Sequence, residues 1–228
     1  MANGAGNRPR GPSTFEAMAR KARADHSTAT VEILYSLRRE PTCKFVAGSG
    51  FIVKLANGGC KIMTCDHVIR HCKGAKWRIW VRLPNTPNPP TAIEFLEHKE
   101  RIGTEVVLLG YFNPLVLRGV LGEKVLIAKE PSAIPGEIVG PRLDLENTRR
   151  NWSLPHSCYG IDGCSGSPMI HMKSLSKSAD KGKAIGIYDS SLELIQSCIA
   201  AKTIKAQLRF WLGMKQERPS LQAMINML

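Results

Sequence analysis

Gly48-Ser49-Gly50-Phe51-Ile52-Val53 is followed by Ile62-Met63-Thr64-Cys65-Asp66-His67-Val68-Ile69 and, about a hundred residues beyond His67, by Gly163-Cys164-Ser165-Gly166-Ser167-Pro168. Between the first two segments lies Asn57-Gly58-Gly59. An Asn-Gly pair between two apolar runs is a strong hairpin signal, because both residues tolerate the left-handed backbone of a tight turn. Phe51–Leu55 and Lys61–Thr64 are therefore expected as paired strands, with His67 just past the second. The third segment places a serine between glycines, in a tight turn that leads into another apolar run.

Outward from these segments the chain keeps one texture. Val31–Leu37, Trp77–Leu83, Val106–Phe112, Lys124–Ala128, Ile138–Leu143, Pro168–Met172 and Ala184–Tyr188 are short apolar runs bounded by turn residues, and each is expected as a strand. Pro135-Gly136 is expected as a turn, and Asn85–Pro90 as a loop. Leu192–Ile199 suits strand or helix. Phe15–Asp25 suits a short basic helix, and Lys202–Leu212 a helix with Ile204, Leu208 and Trp211 on one face. Many short strands with one late helix predict an all-β sandwich or pair of barrels.

Composition narrows the function classes. Across 228 residues, 43% are hydrophobic and 22% charged, ordinary globular usage that argues against a disordered chain. No apolar run approaches the ~18 residues that a membrane span needs. Lys and Arg exceed Asp and Glu by 13 charges, which attracts acidic partners without dictating a fold. Nucleic-acid contact is open but not favoured, because aromatics are only 6% and no stacking signature accompanies the basic residues. Met1–Ser13 lacks the apolar core of a secretory signal. With seven cysteines, an odd number, the expected setting is cytoplasmic or nuclear with reduced thiols, and Arg8 and Arg10 in an acid-poor N-terminus leave organelle targeting as the alternative.

The segments quoted first carry the chemistry. A serine hydroxyl is a weak nucleophile until an imidazole takes its proton and a third group holds that imidazole in the right tautomer. Acyl transfer also needs N–H donors aimed at the developing oxyanion. A serine in a glycine-flanked turn supplies the exposed hydroxyl, and the N–H groups of Gly163 and Ser165 are placed to converge on one point.

These motifs resemble those of the chymotrypsin-like (trypsin-fold) serine peptidases, most of all the intracellular Deg-type branch. Thr64-Cys65-Asp66-His67 matches the family's Thr-x-x-His pattern, Gly163–Pro168 its Gly-x-Ser-Gly-x-Pro turn, and Gly48-Ser49-Gly50-Phe51 its Gly-Ser-Gly-Phe run. The resemblance implies two antiparallel six-stranded barrels and a C-terminal helix. It divides the chain into a basic, flexible arm (1–27), a peptidase domain (28–213, barrels meeting near residue 115) and a tail (214–228). It implies a serine endopeptidase without metal or organic cofactor, acting on a peptide or protein substrate, with Ser165 as nucleophile, His67 as general base, and Gly163 and Ser165 as oxyanion donors. It also implies that Ile185-Gly186-Ile187 pairs with substrate backbone and that Tyr159, six residues before the serine, floors the specificity pocket.

Two departures from the family pattern bear on the mechanism. The orienting aspartate falls in the slot Thr104-Glu105-Val106-Val107-Leu108-Leu109, which offers Glu105 instead. Asp144 is the next candidate. Cys164 replaces the aspartate that pairs with a newly cut N-terminus in zymogens, so activation by cleavage is not expected. A catalytically inactive binding protein of the same fold is the alternative. A zinc reading of Cys60, Cys65, His67, His71 and Cys72 is weaker, since no Cys-x-x-Cys knuckle is present.

Overall fold

A computed structural model describes residues 12–40, 45–70, 76–85, 89–97, 100–111, 130–141, 143–144, 152–161, 163–172, 181–192, 195–214 and 219–228. The chain opens with helix α1 (Pro12–His26). Strands β1 (Thr30–Leu37), β2 (Phe45–Lys54) and β3 (Cys60–Met63) follow, then helix α2 (Asp66–Arg70) and β4 (Trp77–Arg82). These four strands form one antiparallel sheet in the order β3-β2-β1-β4. The Asn57-Gly58 turn closes the β2–β3 hairpin, with Lys54 opposite Cys60 and Gly58 at φ +83°.

The remaining strands are β5 (Glu105–Gly110), β6 (Ser132–Glu137), β7 (Leu143–Asp144), β8 (Trp152–His156), β9 (Pro168–His171), β10 (Ala184–Leu192) and β11 (Ile195–Ala200). They hydrogen-bond in the order β6-β5-β9-β10-β11-β8-β7. The sheet then curls shut: Ile138, just past β6, bridges His156 at the end of β8, and Val139 N–H donates to Pro155 O at 3.1 Å. Six strands thus close into a barrel, and β7 adds two residues beside β8. Helices α3 (Ala201–Trp211) and α4 (Leu221–Ile225) end the chain.

Period-two alternation separates the two cores. On β5, Val106 and Leu108 point into the barrel, packed with Leu154, Cys158, Met169, Ile185 and Cys198. Val107, facing the other way, joins a second core with Val31, Ile33, Phe51, Val53 and Val68 of the smaller sheet. This second core lies between the two sheets and fixes how they meet. The segment around Phe95 reinforces the junction: Ile93 N–H donates to Ile52 O at 2.9 Å, and Leu96 N–H to Ala184 O at 2.8 Å.

Several expectations shift. Among the described residues the first sheet has four strands, not six. β5 belongs to the second barrel, so the division expected near residue 115 falls before Glu105. The expected strand Ile138–Leu143 is not one strand: Ile138 makes an isolated bridge and Leu143 opens β7, while β6 ends at Glu137 and contains the expected Pro135-Gly136 turn. Proline fits because β5 hydrogen-bonds that part of β6 from one side, and its missing donor faces the open one. The Leu192–Ile199 run ends one strand and begins the next. Lys124–Ala128 lies outside the described residues.

The two ends are also more than an arm and a tail. Met18 and Ala22 bury one face of α1 against β5 and β6. Leu221, Met224 and Ile225 of α4 are fully buried in the inter-sheet core. Burial of such side chains is worth about 1.5–3 kcal/mol each, which stabilises a helix far too short to persist alone.

His156 is buried against Tyr188, with ring centroids 5.7 Å apart. Burial pushes its pKa down to about 4, offset in part by the neighbouring backbone of Ser197 and Cys158. The folded state therefore holds it neutral, whereas the unfolded chain protonates it below pH ~6.5. Its contribution is intact above that pH and is lost as pH falls toward 4, amounting to about 2–3 kcal/mol between pH 7.5 and 4.5. Urea unfolding at those two pH values should show His156→Gln losing less stability on acidification than the wild type. Equal losses would contradict this origin.

Candidate active site

The site is built around one buried serine in β2. Ser49 N–H donates to Ser165 O at 2.8 Å. Its hydroxyl donates to Gly163 O at 2.7 Å and accepts from Tyr111 N–H at 2.8 Å, while its carbonyl accepts from Thr64 Oγ1 at 2.8 Å. Ser49 therefore ties the serine turn of the second barrel to the strand end that carries His67.

Glycines permit this approach. A Cβ on Gly48 would lie 2.7 Å from Ser165 O, and one on Gly166 only 2.1 Å from Ser49 O. Gly163 and Gly166 adopt φ +97° and +89°, the left-handed region that other residues enter at a cost. Within the turn, Cys164 N–H donates to Ile161 O, Ser167 N–H to Cys164 O, and Gly166 N–H to Tyr188 O. The N–H groups of Gly163 and Ser165 have no backbone acceptor among the described residues. These are the two donors expected to face an oxyanion.

Thr64 and the first turn of α2 deliver His67, whose neighbour Val68 packs into the inter-sheet core. Its Nδ1 lies 3.4 Å from Asp189 Oδ1, both side chains about two-fifths exposed. Ser165 Oγ donates to the backbone carbonyl of the same Asp189 at 3.2 Å. The structure thus gathers Ser165 and His67, from different barrels, around one residue of β10.

Sequence reasoning did not single out Asp189. Its place arises from a bulge: Tyr188 pairs with Cys198 and Ser190 with Ser197, leaving Asp189 as the extra residue. A bulge re-aims a side chain out of the strand's alternation, and no local motif announces it. Glu105, by contrast, starts β5 opposite Glu137, with its carbonyl accepting from Met172 N–H. Met172 follows the end of β9 remote from the Ser165 turn.

The structure also departs from the expected substrate contacts. Gly186 and Ile187 pair with Met169 and Pro168 on one side and with Ala200 and Ile199 on the other. With Ile185 buried as well, this stretch has no edge left for a substrate. Beyond the bulge, β10 pairs only with β11, so the backbone of Ser190–Leu192 keeps one open edge among the described residues. Tyr159 is 73% exposed and points outward, so it floors no pocket. Tyr188 fills the interior nearby: its hydroxyl and Gly160 N–H both engage Gln196 Oε1.

Cys65, His67 and Asp189 each offer a ligand atom within 4.8 Å of the others. A metal would need the Cys65 thiolate. Burial and the Asp189 carboxylate push that thiol's pKa up, and it donates to Tyr188 O at 3.1 Å. The cluster is better suited to holding a carboxylate than a cation. Of the other expected ligands, Cys60 is exposed at the start of β3, and His71 and Cys72 lie outside the described residues.

Solved structures share this arrangement of strands. The active form of the Rv3671c protease from M. tuberculosis superposes with a TM-score of 0.54 at 18% identity, covering 92% of this chain and 89% of that one. The inactive form gives 0.55 at 17%, covering 88% and 95%. The fold is the trypsin-like double barrel. These likenesses extend to the fold and do not single out the Deg-type branch. No family model matches the sequence, and no curated protein matches it.

Gly166→Ala should destabilise the protein by considerably more than Gly58→Ala. Both impose left-handed strain of about 1–2 kcal/mol, but a Cβ at Gly58 meets nothing within 4 Å. Comparable urea midpoints for the two variants would contradict the close approach at Ser49.

Proposed function

We propose that the chain is a serine endopeptidase that hydrolyses peptide bonds through an acyl-enzyme. The observation that carries this reading is the convergence of Ser165 and His67 across the barrel junction, beside a turn whose Gly163 and Ser165 N–H groups have no backbone acceptor among the described residues. With Nδ1 directed at Asp189, His67 presents Nε2 as the base. The reaction requires the Ser165 hydroxyl to turn from the Asp189 carbonyl and give its proton to Nε2. Oγ then attacks the carbonyl carbon, and the oxyanion forms against the two N–H donors. His67 passes the proton to the leaving amine, and water repeats the sequence in reverse to release the acid. Substrate backbone adds to the open edge of Ser190–Leu192, a common mode of peptide recognition. Buried Cys164 takes no part.

A second reading has its own support: in this structure the Ser165 hydroxyl donates to a carbonyl. A chain locked in that state would be an inactive binding protein of the same fold.

A fluorophosphonate probe distinguishes them. The folded wild type should label at one site, insensitive to EDTA. Ser165→Ala should abolish labelling, and His67→Ala should slow it by about 10²–10⁴-fold. A folded wild type that does not label would establish the inactive reading. A peptide-library digest then tests for endopeptidase cleavage.

A further inference from the structure

Glu105 and Asp189 compete for the role of holding His67, and their places in the fold separate them. Five residue steps along β5 separate Glu105 from Gly110, about 16 Å at ~3.3 Å per residue. It is the Gly110 end that abuts the site, since a Cβ there would meet Ser167 Oγ and Ser49 Oγ. Glu105 thus starts the strand at its remote end, beside Met172.

Asp189 is at the junction itself. The bulge in β10 releases its side chain from the barrel's alternation and turns it across to the other sheet. There the carboxylate lies 3.4 Å from His67 Nδ1 and beside the buried Cys65 thiol, whose own hydrogen bond goes to Tyr188 O. The strand on either side is anchored: Tyr188 N–H donates to Ser167 O at 2.8 Å, and Ser190 pairs with Ser197. A carboxylate so held fixes the neutral imidazole as its Nδ1–H tautomer and stabilises the imidazolium that forms when Nε2 accepts the Ser165 proton.

We propose that Asp189, contributed by the second barrel, is the positioning residue that orients His67 toward Ser165. The triad then draws nucleophile and acid from one barrel and base from the other. Cys65 becomes part of the same device, a buried thiol that donates to the acid's surroundings and remains protonated. This assignment rests on the proposed hydrolytic role of Ser165 and His67, but its geometry can be read without turnover.

Two measurements test it, on the full chain. The first is the fluorophosphonate labelling rate of Asp189→Asn, Asp189→Ala and Glu105→Gln, each with its thermal unfolding curve. Both Asp189 variants should slow labelling by about 10²–10⁴-fold, with the near-isosteric Asn variant keeping the wild-type melting temperature. The second is the His67 tautomer, from long-range ¹H–¹⁵N correlation above the imidazole titration range. The wild type should carry its proton on Nδ1, and Asp189→Ala should move it to Nε2. Unchanged labelling and tautomer in folded Asp189→Asn and Asp189→Ala would overturn the proposal, as would their loss in Glu105→Gln alone. If the wild type fails to label, the hydrolase reading falls, and the tautomer alone decides the role of Asp189.

Discussion

The hydrogen bonds of Ser49 are the constraint on which the rest of the site depends. One fully buried residue uses its N–H, carbonyl and hydroxyl to join Ser165, Thr64, Gly163 and Tyr111. Each partner is otherwise a turn or strand end with a polar group to satisfy, and leaving such a group buried and unpaired costs about 1–3 kcal/mol. The two barrels therefore meet in one register, because sliding would orphan several groups at once. Gly48 and Gly166 are the steric counterpart: at each, a Cβ would collide with the opposite wall.

That fixed junction explains how a site forms between two separately curled sheets. The inter-sheet core supplies the area, with Val31, Phe51, Val53 and Val68 facing Val107, Ile170 and Ile187. Apolar packing is non-directional and cannot by itself place a hydroxyl relative to an imidazole. The Ser49 bonds supply direction, and the β10 bulge adds a carboxylate at the same seam. Position comes from packing, orientation from hydrogen bonds, and the chemistry proposed for Ser165 needs both.

Legibility in the sequence followed the range of the interactions. The glycine-flanked serine turn, the Asn-Gly hairpin and His67 after β3 were readable because a few adjacent residues dictate their backbones. Period-two runs marked most strands for the same reason. Pro135-Gly136 misled because a strand paired on one side tolerates proline. Glu105 matched a slot by sequence, but the pairing of β5 with β6 and β9 in the other barrel is not written locally. The resemblance implies that Ile185–Ile187 pairs with substrate, and only tertiary pairing shows that β9 and β11 enclose it. Asp189 had no signal at all: a bulge is a mismatch between two strands and exists only once they pair. The buried faces of α1 and α4 are likewise one or two turns long, too short for periodicity to reveal.

The most direct test of this site is a crystal structure of the protein after reaction with a peptidyl phosphonate. Phosphorus should be bonded to Ser165 Oγ, with the phosphoryl oxygen within hydrogen-bond distance of the Gly163 and Ser165 N–H groups and the peptide running along Ser190–Leu192. His67 should stand between the adduct and Asp189. An adduct on a different residue, or a phosphoryl oxygen turned away from those two N–H groups, would contradict the account.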